Sequence, residues 1–207
     1  MAKLAGMSGH DHDHDHDHEG HDHDEHDHEH DAEAAERQAR RRIALSQVRQ
    51  YGDPVLRMHA NEVEAFDLEL VQLSERMLAV MHDADGVGLA ATQVGILRRV
   101  FVFHDDCEDR VVVNPVLTVR GKDTEVDEEG CLSLGPVRMP VERAVEVTLD
   151  GVDVHGAALH LELEGLDARV VQHELDHLDG TQIVDRTDPE SRRVAMAQLR
   201  PRLVLSR

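Results

Sequence analysis

Val170-Val171-Gln172-His173-Glu174-Leu175-Asp176-His177-Leu178 is the stretch from which the rest of the chain can be read. Its spacing predicts a helix over Leu166 to Leu178, closed by Gly180 just beyond it. Histidines at i and i+4 share one helical face, one turn apart, so both imidazoles can reach one cation. Glu174 sits beside the first of them, where a carboxylate can take a proton from a water activated by that cation. Val170, Val171, Leu175 and Leu178 mark the helix as largely buried. Buried histidines and acids need partners, and a metal ion supplies one.

HExxH is shared by unrelated hydrolases, so the third ligand has to discriminate. His177-Leu178-Asp179-Gly180 extends the pattern to HExxHxxG, whose protease continuation requires histidine at position 183. Ile183 stands there, and no histidine follows His177. Glu190, the one glutamate after it, lies too near a helix start. The third ligand therefore comes from upstream. Cys131 is the best candidate, since a thiolate with two imidazoles suits a borderline-soft divalent cation. It sits in the tight segment Glu129-Gly130-Cys131-Leu132-Ser133, whereas Cys107 lies in a polar loop and is incidental.

Further out, the pattern mixes helices with strands. Leu70, Leu73, Met77, Leu78 and Met81 predict a helix over Leu68 to His82 that stops at Asp85-Gly86. Arg99 to His104, Arg110 to Val113 and Val116 to Arg120 are valine-rich and read as strands, the first two joined as a hairpin. Val145 to Leu149 and Ala158 to Leu163 alternate apolar and polar residues around a turn expected at Asp150-Gly151. A last helix should open at Asp188-Pro189 and end before Pro201. Helix, antiparallel strands, then helix is an α+β arrangement.

Gly86-Val87-Gly88-Leu89-Ala90-Ala91-Thr92-Gln93 follows the first of these helices. Its small residues let an extended ligand approach the backbone, and Gln93 offers uncharged amide hydrogens to an oxyanion. GVGLAATQ, EGCLS and HELDH, in that order, resemble the three motifs of the peptide deformylases, from about Ile43 to the C-terminal helix. The resemblance implies mixed, mainly antiparallel sheets around a central helix carrying HExxH. It also implies removal of the formyl group from the initiating methionine of nascent chains, with the ribosome as a possible partner. By position, Cys131, His173 and His177 are implied as metal ligands and Glu174 as general base and acid. Gln93 and the Leu132 N–H would hold the oxyanion, Gly88 would bond the peptide backbone, and Arg138 would contact substrate. Val87, Leu166 and Val170 are candidate walls for the methionine side chain. Ferrous iron is the expected metal in the cell, with Zn2+ or Ni2+ as alternatives. Many members place a hydrophobic residue and proline directly after CLS. Here Leu134-Gly135-Pro136 follows, and Val137 to Pro140 has no aromatic, which puts the departure at the substrate rim. Two other readings remain open: a zinc peptidase built on HExxH, and a metal-binding protein with a catalytically silent domain.

The chain has 207 residues, 22 basic and 43 acidic, for a net charge of -21. Residues 1–31 hold one lysine against eleven acids, or -10, and the rest holds -11. Ten of the 17 histidines alternate with carboxylates between His10 and Asp31, with no apolar residue among them. Such a tail cannot bury a core and is expected to be disordered. Its imidazoles suit Zn2+ or Ni2+, so it is a candidate metal reservoir as well as a candidate solubilising spacer. Residues 32–42 read as a charged linker or helix, and 43–207 as the catalytic domain. No apolar run is long enough to span a membrane, no secretory pattern opens the chain, and two cysteines make no disulfide scaffold. The expected site is the cytoplasm. The acidic body argues against direct nucleic-acid binding.

Overall fold

Alternation along one strand explains how the layers assemble. In the computed structural model, which describes residues 22–105 and 107–199, Val100–His104 forms a strand buried along nearly its whole length. Val100 and Val102 pack with the helix Leu68–Asp83, while Phe101 and Phe103 pack with the helix Gly165–Leu178. A period of two thus sends successive side chains into two different cores on opposite faces of the sheet.

The helices are α1 (Asp22–Gln47), α2 (Leu68–Asp83), α3 (Gly165–Leu178), α4 (Ile183–Arg186) and α5 (Pro189–Leu199). The strands are β1 (Gly88–Ala90), β2 (Val100–His104), β3 (Asp109–Gly130), β4 (Arg138–Val152) and β5 (Ala158–Glu164). All five make one antiparallel sheet in the order β1-β2-β3-β4-β5. The expectation of several mixed sheets is thereby simplified; an isolated bridge between Asn61 and Arg98 is the parallel contact among the described residues. The α+β class stands, and α3, which carries HELDH, packs against every strand.

The chain divides into two units, Met1–Glu36 and Arg37–Arg207. Within the first, the helix already begins at Asp22, inside the stretch expected to be disordered. The expected linker at residues 32–42 is part of that same helix, and residues 1–21 lie outside the described residues.

In the second unit, α2 forms as its spacing predicts. Asp67 caps it by accepting from the Leu70 N–H at 3.0 Å. Leu70, Met77, Val80 and Met81 are buried, each contributing about 1.5–3 kcal/mol. The β2–β3 hairpin also forms, its loop held by Asp105, which accepts from the N–H groups of Cys107 and Glu108. The two valine-rich segments beyond it are one strand rather than two. The interruption at Asn114-Pro115 is a register shift in which Asn114 takes φ 50 and bonds the backbone of Val63 through both side-chain atoms.

The turn expected at Asp150-Gly151 is elsewhere. Asp150 and Gly151 pair with His160 and Leu159 inside the β4–β5 ladder. The reversal is at Asp153, whose carboxylate accepts from His155 and Ala157. Gly151 serves close packing instead: a Cβ there would lie 3.0 Å from Val113 O and from Val112 Cγ1. α5 opens where expected, with Asp188 accepting from the N–H groups of Glu190 and Ser191. Pro201 lies outside the described residues.

Candidate metal centre and cleft

β3 ends at Gly130 and delivers Cys131 to the start of a 3-10 turn, Leu132–Leu134. α3 brings His173 and His177 from the other side of the site, their rings 5.0 Å apart. The donor atoms of Cys131, His173 and His177 all lie within 4.8 Å of one another. Cys131 Sγ is 3.2 Å from His177 Nε2. Burial opposes charge on the Cys131 thiol, but the adjacent His177 and His173 outweigh it and hold the thiol well below its usual range. A buried, convergent thiolate and two imidazoles fit a divalent cation on donor chemistry alone.

His173 is oriented by a residue given no role by its motif. Glu129, two positions before Cys131, accepts from His173 Nδ1 at 2.9 Å. That nitrogen is thereby committed, and Nε2 is the ring atom left to serve a cation. Burial works against the Glu129 charge, yet His173 and Arg143 hold its carboxyl down at about 2. Arg143 donates to both of its oxygens, at 2.9 and 3.1 Å, and Arg169 adds a third bond at 2.9 Å. Arg143 also reaches Asp176 on α3 at 2.6 Å, where Arg186 joins it. This buried ionic network ties β3, β4 and α3 together beneath the ligands. No local pattern announces the arginines, which meet Glu129 only once the strands have paired.

Glu174 is 4% exposed, and its Oε2 has no hydrogen-bond partner among the described residues. Burial pushes its carboxyl up to about 7, against the pull of His173 and His177. Such a group can both take and return a proton near neutrality. Gln93 is held in one amide orientation, because its Oε1 accepts from the Ala90 N–H at 2.9 Å. Its NH2 therefore faces the site, 3.2 Å from Ser133 Oγ and 3.5 Å from Cys131 Sγ. Gly88 lies against the acid: a Cβ there would be 2.5 Å from Glu174 Oε1 and 3.0 Å from Val170 Cγ1.

A cleft of about 520 Å³ opens over these groups. It is lined by Gly88, Gln93, Cys131, Leu132, His173 and Glu174, together with Val87, Arg138, Leu166 and Val170. Of the site residues expected from sequence, His177 alone is not among the lining residues, being 1% exposed. Cys107 is exposed in its loop, away from the set. Arg41, Asp85, Glu129 and Arg169 also line the cleft, and the sequence assigns none of them a role there.

The profile of the family described as polypeptide deformylase matches residues 45–193. The chain belongs to the peptide deformylase family. It is similar to peptide deformylase 1 of Corynebacterium efficiens, with 46% identity over 76% of this chain and 96% of that one. It is 48% identical to a peptide deformylase of Clostridium botulinum over 70% of this chain and 98% of the other. Among solved structures, a peptide deformylase from Legionella pneumophila superposes with a TM-score of 0.69 at 39% identity, covering 73% of this chain and 91% of that one. This deformylase is accordingly a metal-dependent hydrolase that removes the formyl group from nascent peptides, which sets aside the peptidase and silent-domain readings.

Substituting Gly88 should expose how tightly the cleft is built. Gly88→Ala must displace Glu174 or the strand, and a misplacement of about 1 Å costs on the order of a hundredfold. The expected result is that loss in kcat/KM on a formyl-Met peptide, with the unfolding temperature nearly unchanged. Wild-type kcat/KM in the variant would show that Gly88 and Glu174 are not packed together in the working enzyme.

Proposed function

We propose that Cys131, His173 and His177 hold one catalytic divalent cation, ferrous iron in the cell, at a site that also accepts Zn2+ or Ni2+. The observation that carries this reading is the convergence of the three donor atoms beside a buried Glu174 with an unpartnered oxygen. When bound, the cation supplies Lewis acidity to the formyl oxygen and to the attacking water. Glu174 takes a proton from that water, which attacks the formyl carbon. Gln93, through the amide set by Ala90, and the Leu132 N–H stabilise the negative charge on the formyl oxygen. Glu174 then passes the proton to the departing amine as the C–N bond breaks, leaving formate and a free N-terminus.

Among the described residues, β1 has a strand partner on one side only. A peptide can add to its free edge through main-chain bonds, with Gly88 at the reacting end. Val87, Leu166 and Val170 wall the methionine pocket, and Arg138 contacts the peptide. The substrates are N-formylmethionyl chains in the cytoplasm, met as they leave the ribosome. The catalytic domain takes the chain from residue 43 onward, and the histidine-carboxylate tail ahead of it buffers divalent metal for the site.

One preparation tests both metal assignments. Protein purified anaerobically without added metal should carry about one iron per chain and remove formyl groups. A variant lacking residues 10–31 should keep that iron but bind fewer zinc ions on titration. An unchanged zinc count would eliminate the reservoir, and active protein without a stoichiometric metal would eliminate the catalytic centre.

A further inference from the structure

The family match begins at residue 45, so the arginines of α1 belong to the extension that precedes it. Arg37, Arg40 and Arg41 fall at i, i+3 and i+4 and share one helical face. Ala44 continues that face, and with Val48, just past the end of α1, it joins the core that includes Val80, Met81 and Ala84 at the end of α2. The face is thereby seated over the turn that leaves α2. Asp85 occupies this turn in the left-handed region, with φ 57. One of its oxygens takes the NH2 of Arg37 at 2.6 Å, and the other takes Nε of Arg41 at 3.1 Å. Arg40 Nε lies 3.8 Å from Asp83. One carboxylate thus serves two guanidiniums, and the Arg41 side chain remains 48% exposed. Arg41 and Asp85 line the same cleft as Gln93, Cys131 and Glu174.

An extended peptide whose formyl group lies at Cys131 and Glu174 has one direction to run along β1. Toward Leu89 and Ala90 the way is closed, because both are fully buried. Toward the start of the chain Val87 is 53% exposed, and Gly86 and Asp85 follow. At ~3.3 Å per residue, the path from Gly88 to Asp85 matches about three residues of peptide. Glu128 and Arg138 also line the cleft, one charge of each sign.

The geometry points to Arg41 as a specificity residue of this deformylase, reading the peptide about three residues beyond the formyl-methionine and favouring an acidic side chain there over a basic one. Asp85 sets one negative charge against the two positive charges of Arg37 and Arg41, so the three together keep a net positive charge. The inference rests on the formyl group binding at the proposed centre.

The test uses the full-length, metal-loaded protein on two amidated peptides, formyl-Met-Ala-Ala-Glu and formyl-Met-Ala-Ala-Lys. The glutamate peptide should be preferred about fivefold in kcat/KM, through KM, as an exposed ion pair allows. The preference should shrink as ionic strength rises. Arg41→Ala should bring the ratio near one, Arg41→Glu should reverse it, and Arg41→Lys should keep its sign. A ratio that stays the same in Arg41→Ala and Arg41→Glu overturns the proposal. Failure of the underlying site reads out differently, as turnover of both peptides that survives Glu174→Ala.

Discussion

Glu174→Ala is expected to lower kcat on a formyl-Met peptide by about 10²–10⁴-fold while the metal remains bound in full stoichiometry. The separation of the two effects follows from the geometry. The proposed ligands are Cys131, His173 and His177, whose donor atoms converge without Glu174. Glu174 sits beside them with one oxygen unpartnered among the described residues. Removing it therefore orphans no other group in the core. It also removes a carboxyl whose burial pushes it up to about 7, which is a cost to the folded state rather than a support. The variant should unfold no earlier than the wild type. Glu174→Gln keeps the volume and removes the proton acceptor, so it should be equally slow. Normal turnover in either variant would sink the assignment of Glu174 as base.

Glu129→Ala should act in the opposite way, on metal affinity and stability together. Glu129 is 5% exposed and joins His173, Arg143 and Arg169. Without it Arg143 keeps only Asp176, and Arg169 keeps only the carbonyls of Val141 and Glu125, among the described bonds. Breaking a buried ionic set in this way costs about 3–5 kcal/mol. His173 also loses the acceptor that fixes its ring, which weakens metal affinity by about 10–100-fold. Chelator competition and denaturant unfolding of the metal-loaded protein measure the two losses separately. Glu129→Gln, which retains an acceptor for His173, should recover part of the affinity and little of the stability. If affinity is untouched while stability falls, Glu129 braces the core and does not aim the ligand.

These two residues mark the boundary of what local pattern reveals. Glu174 is legible because its role follows from position on one helix, next to one ligand and three from the other. Glu129 stands in a motif but has no legible function, because its partners come from β4 and α3 and meet it only after folding. The same division runs through the architecture. α2 and α3 could be read from their apolar period, which burial enforces. The turn after β4 could not, because Asp150-Gly151 carries a turn signature while Gly151 is needed for its close approach to Val112 and Val113. The start of α1 at Asp22 has no local signal, because a run of histidines and acids offers no apolar face. Arg41 carries no signal within the charged stretch 32–42, because nothing in its neighbourhood shows that Asp85 will stand opposite it.

The free edge of β1 also bears on how this protein avoids sticking to itself. An open strand edge is a template on which another chain can pair, and long exposed edges lead to aggregation. Here the edge is three residues long, and Leu89 and Ala90 within it are buried. So short an edge offers a second copy of the protein few main-chain bonds. At the proposed centre a formylated chain end would gain the same few bonds and also a grip on the metal, and it would lose that grip when the formyl group leaves. On the proposed reading, the short edge would work as a turnstile, held by substrates only until they have reacted.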